Sequence, residues 1–185
     1  MSLLICEGCR KSGKTYLIEQ LLFPSDLPIF KFNFQGIHSE LKLQNNSYTH
    51  GIGLGKEVML HQLHVEGLLP RDLIVDRGII TNSVWGIMES RVSFEQVIKE
   101  LRYMIAAGYF KSTKIIYIEG ESMEVRTKDQ WDYLDSSRER ESILFKSILD
   151  FCSSNGVEVN YFKNNIDQQS VTNFKQLIGS LCAEY

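Results

Sequence analysis

The sequence predicts a three-layer α/β fold, a five-stranded parallel sheet flanked by helices. Three observations lead there. Five short runs of apolar, branched and aromatic residues alternate with segments of helical pattern, as in a parallel sheet whose strands are buried on both faces. The first run opens into Gly8-Cys-Arg-Lys-Ser-Gly13-Lys14-Thr15, which fits G-x-x-x-x-G-K-S/T at every fixed position. This loop, the pair Asp76-Arg77 and the stretch from Glu119 onward each follow a predicted strand end, where open α/β sheets bind their ligands.

Taken in order, Leu3 to Leu22 reads as strand, glycine-bounded loop and helix, and "LPIFKFNF" (27–34) as a second strand. A polar loop over about 35–55 is the longest irregular stretch and is expected to be functional or mobile, a flexible loop on the acceptor side. A helix is expected over 55–67, and "DLIVDRG" (72–78) is a short buried strand ending in charge. "TNSVWGIMES" and "SFEQVIKELRYMIAAG" read as helical, the second with Ser93 as N-cap and Gly108 as terminator. "TKIIYIEG" (113–120) is the fourth strand, and a charged segment expected to form a lid over about 120–137 leads into a helix through Phe151. "VEVNYF" (157–162) is the last strand, and a helix from about Asp167 to Cys182 closes the chain. No repeat, low-complexity tract or linker divides the 185 residues, so a single domain over 1–185 is expected.

With 43% apolar residues the chain can bury a substantial core. Its net charge of -3 supplies no overall attraction to nucleic acid or to an anionic membrane. No apolar run approaches the ~18 residues of a membrane span, and no leader pattern opens the chain, so no membrane association and a cytoplasmic location are expected. Cys6 and Cys9 form a lone C-x-x-C inside the first strand and the loop, without a second pair to complete a zinc site; all four cysteines are expected to be reduced and structural.

The loop carries the clearest chemistry. Gly8, Cys9, Arg10, Lys11, Ser12 and Gly13 are expected to turn backbone N–H groups around phosphates, Lys14 to reach the terminal phosphates, and Thr15 to offer a hydroxyl to magnesium. Asp76, at a strand end, can hold magnesium or accept a proton from an attacking hydroxyl. Arg77 can clamp a phosphate or steady the transferring group, with a structural ion pair as the plainer reading. Of the lid cations Arg126, Lys128, Arg138 and Arg140, Arg126 is the first candidate because it is nearest the preceding strand. Glu57, His61 and His64 share a helix face with metal-ligand spacing, although packing is the more ordinary fate of such histidines. Trp85 and Trp131 are read as core or lid packing, Trp85 with the alternative of lining an acceptor pocket.

The stretches "ICEGCRKSGKTYLIEQL", "LIVDRG" and "IIYIEGESMEVRTKDQWD" resemble the thymidylate kinase and deoxynucleoside kinase branch of P-loop kinases. The resemblance implies a P-loop NTPase fold with ATP and Mg2+ as donor and a nucleotide or nucleoside as acceptor. Carried onto this chain, Lys14 and Thr15 bind ATP and Mg2+, Asp76 and Arg77 take the D-R role, and Arg126 and Lys128 belong to the lid. It also implies a homodimer, and the short chain is similar to phage-encoded members, which would place it in the host cytoplasm. The chain departs from the family pattern in the loop. Arg10 stands where relatives of one type carry an acid beside the sugar 3′-hydroxyl, and Lys11 where they carry an arginine. Neither a glutamate in "KFNFQG" nor an arginine in the 55–67 helix supplies the other usual acceptor contacts. The first expectation is a deoxynucleoside monophosphate acceptor held by Arg10, Lys31 or Arg77. The alternatives are a hydroxyl acceptor, on a deoxynucleoside or on a hydroxymethylated pyrimidine in DNA, and a nucleotide-binding protein that is no kinase.

Overall fold

The computed structural model describes residues 2–10, 12–21, 29–31, 47–70, 72–120 and 135–182. The elements are β1 (Ser2–Glu7), α1 (Lys14–Leu21), β2 (Ile29–Lys31), α2 (Ser47–Val65), β3 (Asp72–Asp76), α3 (Ile79–Met88), α4 (Phe94–Ala106), β4 (Thr113–Gly120), α5 (Asp135–Ser154), β5 (Glu158–Asn164) and α6 (Gln168–Cys182). The strands lie parallel in the order β2-β3-β1-β4-β5. Four strands of five to eight residues form the body of the sheet. Of the second strand expected over 27–34, three residues are described, and they pair with β3 at the edge.

Both faces of the sheet are covered because consecutive residues of the inner strands are apolar and point to opposite faces. On β1, Leu4 and Cys6 join Leu17, Ile18 and Phe174 from α1 and α6, whereas Leu3 and Ile5 meet Leu60 of α2. On β4, Ile116 and Ile118 share the first of these clusters, while Ile115 and Tyr117 face α3, α4 and α5 through Val84, Leu101 and Phe145. Each fully buried Leu or Ile contributes about 1.5–3 kcal/mol relative to exposure. These clusters therefore fix the three layers far more strongly than helix propensity does.

α2 departs from the sequence expectation. The loop expected over 35–55 is helical from Ser47, eight residues before the expected start, and its part at 35–46 lies outside the described residues. Gly51, Gly53 and Gly55 each cost a helix about 1 kcal/mol, which is why this segment reads as irregular. Tertiary contact outweighs that cost. A Cβ at Gly53 would lie 2.5 Å from the Asn82 side chain, so glycine lets α2 approach α3 closely. Asn82 Nδ2 then donates to the His50 carbonyl at 3.2 Å, and His50 Nε2 meets Glu100 Oε2 at 2.7 Å, tying α2 to α3 and α4. α4 begins and ends as its sequence signals say, with Ser93 accepting from the Gln96 N–H at 3.1 Å and Gly108 at φ 83°. Among the described residues no helix is long and apolar enough to cross a membrane.

Candidate functional site

β1 is flanked by β3 on one side and β4 on the other, so the chain leaves its carboxyl end toward both halves of the sheet. That crossover point opens a crevice at the strand ends. The loop after β1 fills it. Gly13 holds φ 75°, a left-handed conformation that a side chain resists, and a Cβ there would lie 2.3 Å from Asn164 Nδ2. Asn164, fully buried at the end of β5, donates from Nδ2 to the Ser12 carbonyl at 2.9 Å and accepts the Ile166 N–H at 2.9 Å. From β4, Gly120 approaches so closely that a Cβ would lie 2.4 Å from the Ser12 oxygen. The loop is thus gripped by the ends of the two strands beyond β1.

Lys14, at the first turn of α1, is buried and donates to the Gly8 carbonyl at 3.0 Å and to the Cys9 carbonyl at 3.4 Å. Burial pushes its ammonium pKa down, and the nearby Arg77 charge adds to that, against the carboxylates of Asp76 and Glu7. Such an ammonium gains from an anionic partner. Thr15 Oγ1 lies 3.5 Å from Asp76 Oδ2, joining the loop to the end of β3. Ser12 Oγ and Asp76 Oδ1 are buried with no hydrogen-bond partner among the described residues. Orphaned buried oxygens of this kind fit a ligand with donors or a hard cation, so Thr15 and Asp76 are suited to magnesium. Arg77 follows at φ 72°, a conformation that costs a non-glycine residue about 1–2 kcal/mol, with its N–H donated to the Cys6 carbonyl at 3.0 Å.

α3 and α5 border the loop through Trp85, Glu141 and Arg138. The Arg10 guanidinium lies 3.2 Å from the centroid of the Trp85 ring, a cation–π stack. The Arg10 N–H is donated to Glu141 Oε1 at 3.2 Å. Burial pushes the Glu141 carboxyl pKa up, opposed by the Arg10 N–H and by the charges of Arg10, Lys14 and Arg77. Arg138, in the first turn of α5, donates from Nη2 to the Gly120 carbonyl at 2.6 Å, and its Nη1 is buried without a partner among the described residues. Arg10, Lys14, Arg77 and Arg138 therefore border one loop, an electrostatic setting for a polyanion.

The fold brings Gly8, Cys9, Arg10, Ser12, Gly13, Lys14, Thr15, Asp76 and Arg77 together. Lys11, Arg126, Lys128 and Trp131 lie outside the described residues. Glu57 and His64 are buried, and His61 packs edge-on against Tyr109 with ring centroids 4.8 Å apart. No metal-binding group of three or more His, Cys, Asp or Glu side chains occurs among the described residues. Cys9 Sγ contacts the Tyr117 hydroxyl at 3.6 Å, and burial pushes its thiol pKa up, away from reactivity. Sequence reasoning does not single out Asn164, Glu141 or the contact made by Arg138. The only signal for the first is a polar residue just beyond the last apolar run.

No family model and no curated protein matches the chain. Among solved structures, YorR from Bacillus subtilis, in complex with phosphorylated GDP, superposes with a TM-score of 0.61 at 16% identity, covering 97% of this chain and 95% of that one. The chain shares the three-layer α/β fold of this structure. Deoxyadenosine kinase from M. mycoides, with dCMP and dCDP products, gives a TM-score of 0.53 at 15% identity over 97% of this chain and 98% of its own. NadR in complex with NR gives 0.60 at 12% identity over 95% of this chain, which spans half of the NadR chain. The glycine loop and the β3 end of this chain thus lie within a fold shared with these three proteins.

Proposed function

We propose that this protein is an ATP-dependent kinase that transfers the γ-phosphate to a deoxynucleoside monophosphate, in the manner of thymidylate kinases. The observation that carries the reading is the meeting of Lys14, Thr15 and Asp76 at the ends of β1 and β3, with Thr15 Oγ1 3.5 Å from Asp76 Oδ2. The loop N–H groups and Lys14 hold the donor phosphates, Lys14 leaving the Gly8 and Cys9 carbonyls for the more favourable anion. Thr15 and Asp76 would hold magnesium, which when bound would neutralise phosphate charge. Arg77 faces the receiving group from its left-handed turn, and Arg138 adds a donor from α5. An acceptor phosphate is already anionic at neutral pH, so the cations orient it and no strong base is required.

A second reading is favoured by Asp76 Oδ1, which has no hydrogen-bond partner among the described residues and is free to take a proton. In it, Asp76 is the general base for a hydroxyl, on a deoxynucleoside or on a hydroxymethylated pyrimidine in DNA. Labelled ATP offered to deoxynucleoside monophosphates, deoxynucleosides and hydroxymethyluracil-containing DNA separates the two. Transfer to DNA alone removes the first reading, and transfer to none of them leaves a nucleotide-binding protein. Lys14→Ala is expected to abolish transfer; full activity in that variant would refute the phosphate-loop assignment. The resemblance also supports a homodimer, which sedimentation measures directly.

A further inference from the structure

The turn that presents Asp76 and Arg77 has no cap of its own. Gly78, the N-cap of α3, makes no side-chain hydrogen bond, yet the first amides of a helix need acceptors. Those acceptors come from the neighbouring strand. Glu7, the last residue of β1 and fully buried, receives the Gly78 N–H at 3.0 Å and the Ile80 N–H at 3.1 Å on Oε1. Its Oε2 receives the Thr81 N–H at 3.1 Å and the Thr81 hydroxyl. A Cβ at Gly78 would sit 2.6 Å from Ile5 Cγ2 and 3.2 Å from Glu7 Oε1, so the Glu7 carboxyl occupies the room a capping side chain would need.

Two consecutive residues of β1 therefore hold the two residues that follow Asp76. The Cys6 carbonyl takes the Arg77 N–H, and the Glu7 carboxyl takes the Gly78 N–H. These bonds, on Arg77 and on Gly78, hold Arg77 at φ 72°, a conformation that persists only where its surroundings fix it. The same carboxyl anchors the start of α3, whose Trp85 carries the Arg10 guanidinium. It also lies within electrostatic reach of Lys14.

We infer that Glu7 is a positioning residue that sets the Asp76-Arg77 turn and the α3 acceptor wall against the phosphate loop, without itself touching either substrate. This rests on the kinase reading above for its consequence in turnover, but not for its structural content. A misplacement of about 1 Å at a reacting group costs on the order of a hundredfold in rate. Glu7→Gln keeps the size while presenting an NH2 to N–H and O–H donors, so at least one of the four bonds must break.

The test uses the full chain and three readouts: turnover with the acceptor found in the panel, affinity for a fluorescent ATP analogue, and amide exchange. Glu7→Gln is expected to lower kcat about tenfold to a hundredfold. ATP-analogue affinity should stay within about twofold, and the Gly78, Ile80 and Thr81 amides should exchange faster while the β4 amides do not. Unchanged turnover, or turnover and ATP affinity falling together, would overturn the inference. Should Glu7→Gln not fold, Thr81→Val removes a single hydroxyl donor and is judged by the same split, with a smaller fall in kcat. If the wild-type chain transfers phosphate to nothing, the kinase reading fails alone. Amide exchange then decides for Glu7: selective loss at 78–81 supports it, and uniform or absent loss overturns it.

Discussion

Asn164→Ala should loosen the phosphate loop from the end of β5. The side chain is fully buried and makes two hydrogen bonds, Nδ2 to the Ser12 carbonyl at 2.9 Å and Oδ1 from the Ile166 N–H at 2.9 Å. Truncation leaves both backbone groups without that partner, and each orphan costs about 1–3 kcal/mol. A loss of roughly 2–4 kcal/mol follows, which for a chain of this size is about 5–15 °C in melting temperature. On the proposed function nucleotide binding should suffer as well, because Nδ2 sets the Ser12 peptide and hence the direction of the adjoining loop N–H groups. A tenfold loss of ATP affinity corresponds to about 1.4 kcal/mol, and at least that is expected. Urea unfolding and titration with a fluorescent ATP analogue measure the two effects separately. Asn164→Asp sharpens the comparison: it retains the acceptor for Ile166 but turns an anionic oxygen toward the Ser12 carbonyl, so its ATP affinity should fall below that of Asn164→Ala. If Asn164→Ala unfolds within about 0.5 kcal/mol of wild type, inside the range of an inconsequential surface change, and binds ATP normally, the clamp plays no part in holding the loop.

Gly120→Ala drives a methyl group into the Ser12 backbone, 2.4 Å from its oxygen, so melting should drop by the equivalent of about 1–3 kcal/mol and ATP affinity with it; normal affinity would show that the loop has room. For the Arg10 and Trp85 pair, a double-mutant cycle with Arg10→Leu and Trp85→Leu should give a coupling of about 1 kcal/mol in urea unfolding, and additive effects would mean the stack contributes nothing. Glu57, 5% exposed, has its carboxyl pushed from 4.5 up to about 7 by burial, with the Glu7 charge adding to this and the Lys56 ammonium at 3.6 Å opposing it. The folded chain then holds this proton more tightly than the unfolded one, so the stability it brings is full below about 4.5 and is lost as pH rises through about 7. At about 1.4 kcal/mol per tenfold the loss is up to about 3 kcal/mol. Glu57→Gln should therefore melt above wild type at pH 8 and near it at pH 4.5; parallel melting curves across that range would refute the assignment.

Elements whose signals are local are legible in the amino-acid sequence. β4 matches its expected range of 113–120 because Ile115, Ile116, Tyr117 and Ile118 form an unbroken branched and aromatic run behind Thr113. α4 is bounded by a serine cap and a glycine stop that act within one turn. The start of α2 is hidden because Gly51, Gly53 and Gly55 signal a loop locally, and only the approach of Asn82 and His50 makes them helical. The candidate site divides in the same way. Lys14 and Thr15 are identified by spacing alone, whereas Asn164 contacts Ser12 across 152 residues of sequence. Glu7 is visible as a letter beside the loop motif, but its partners Gly78, Ile80 and Thr81 lie more than 70 positions away.

By itself, the sequence determined the alternation of strands and helices, the glycine-bounded loop motif and the charged residues at strand ends, since each depends on neighbours within a few residues. The tertiary structure alone decided the order β2-β3-β1-β4-β5, the gripping of the loop by Gly120 and Asn164, the parking of Arg10 on Trp85 and the capping of α3 from another strand. These depend on which strands become neighbours, and that follows from burying both faces of the sheet at once, a balance to which every element contributes and which no short window contains.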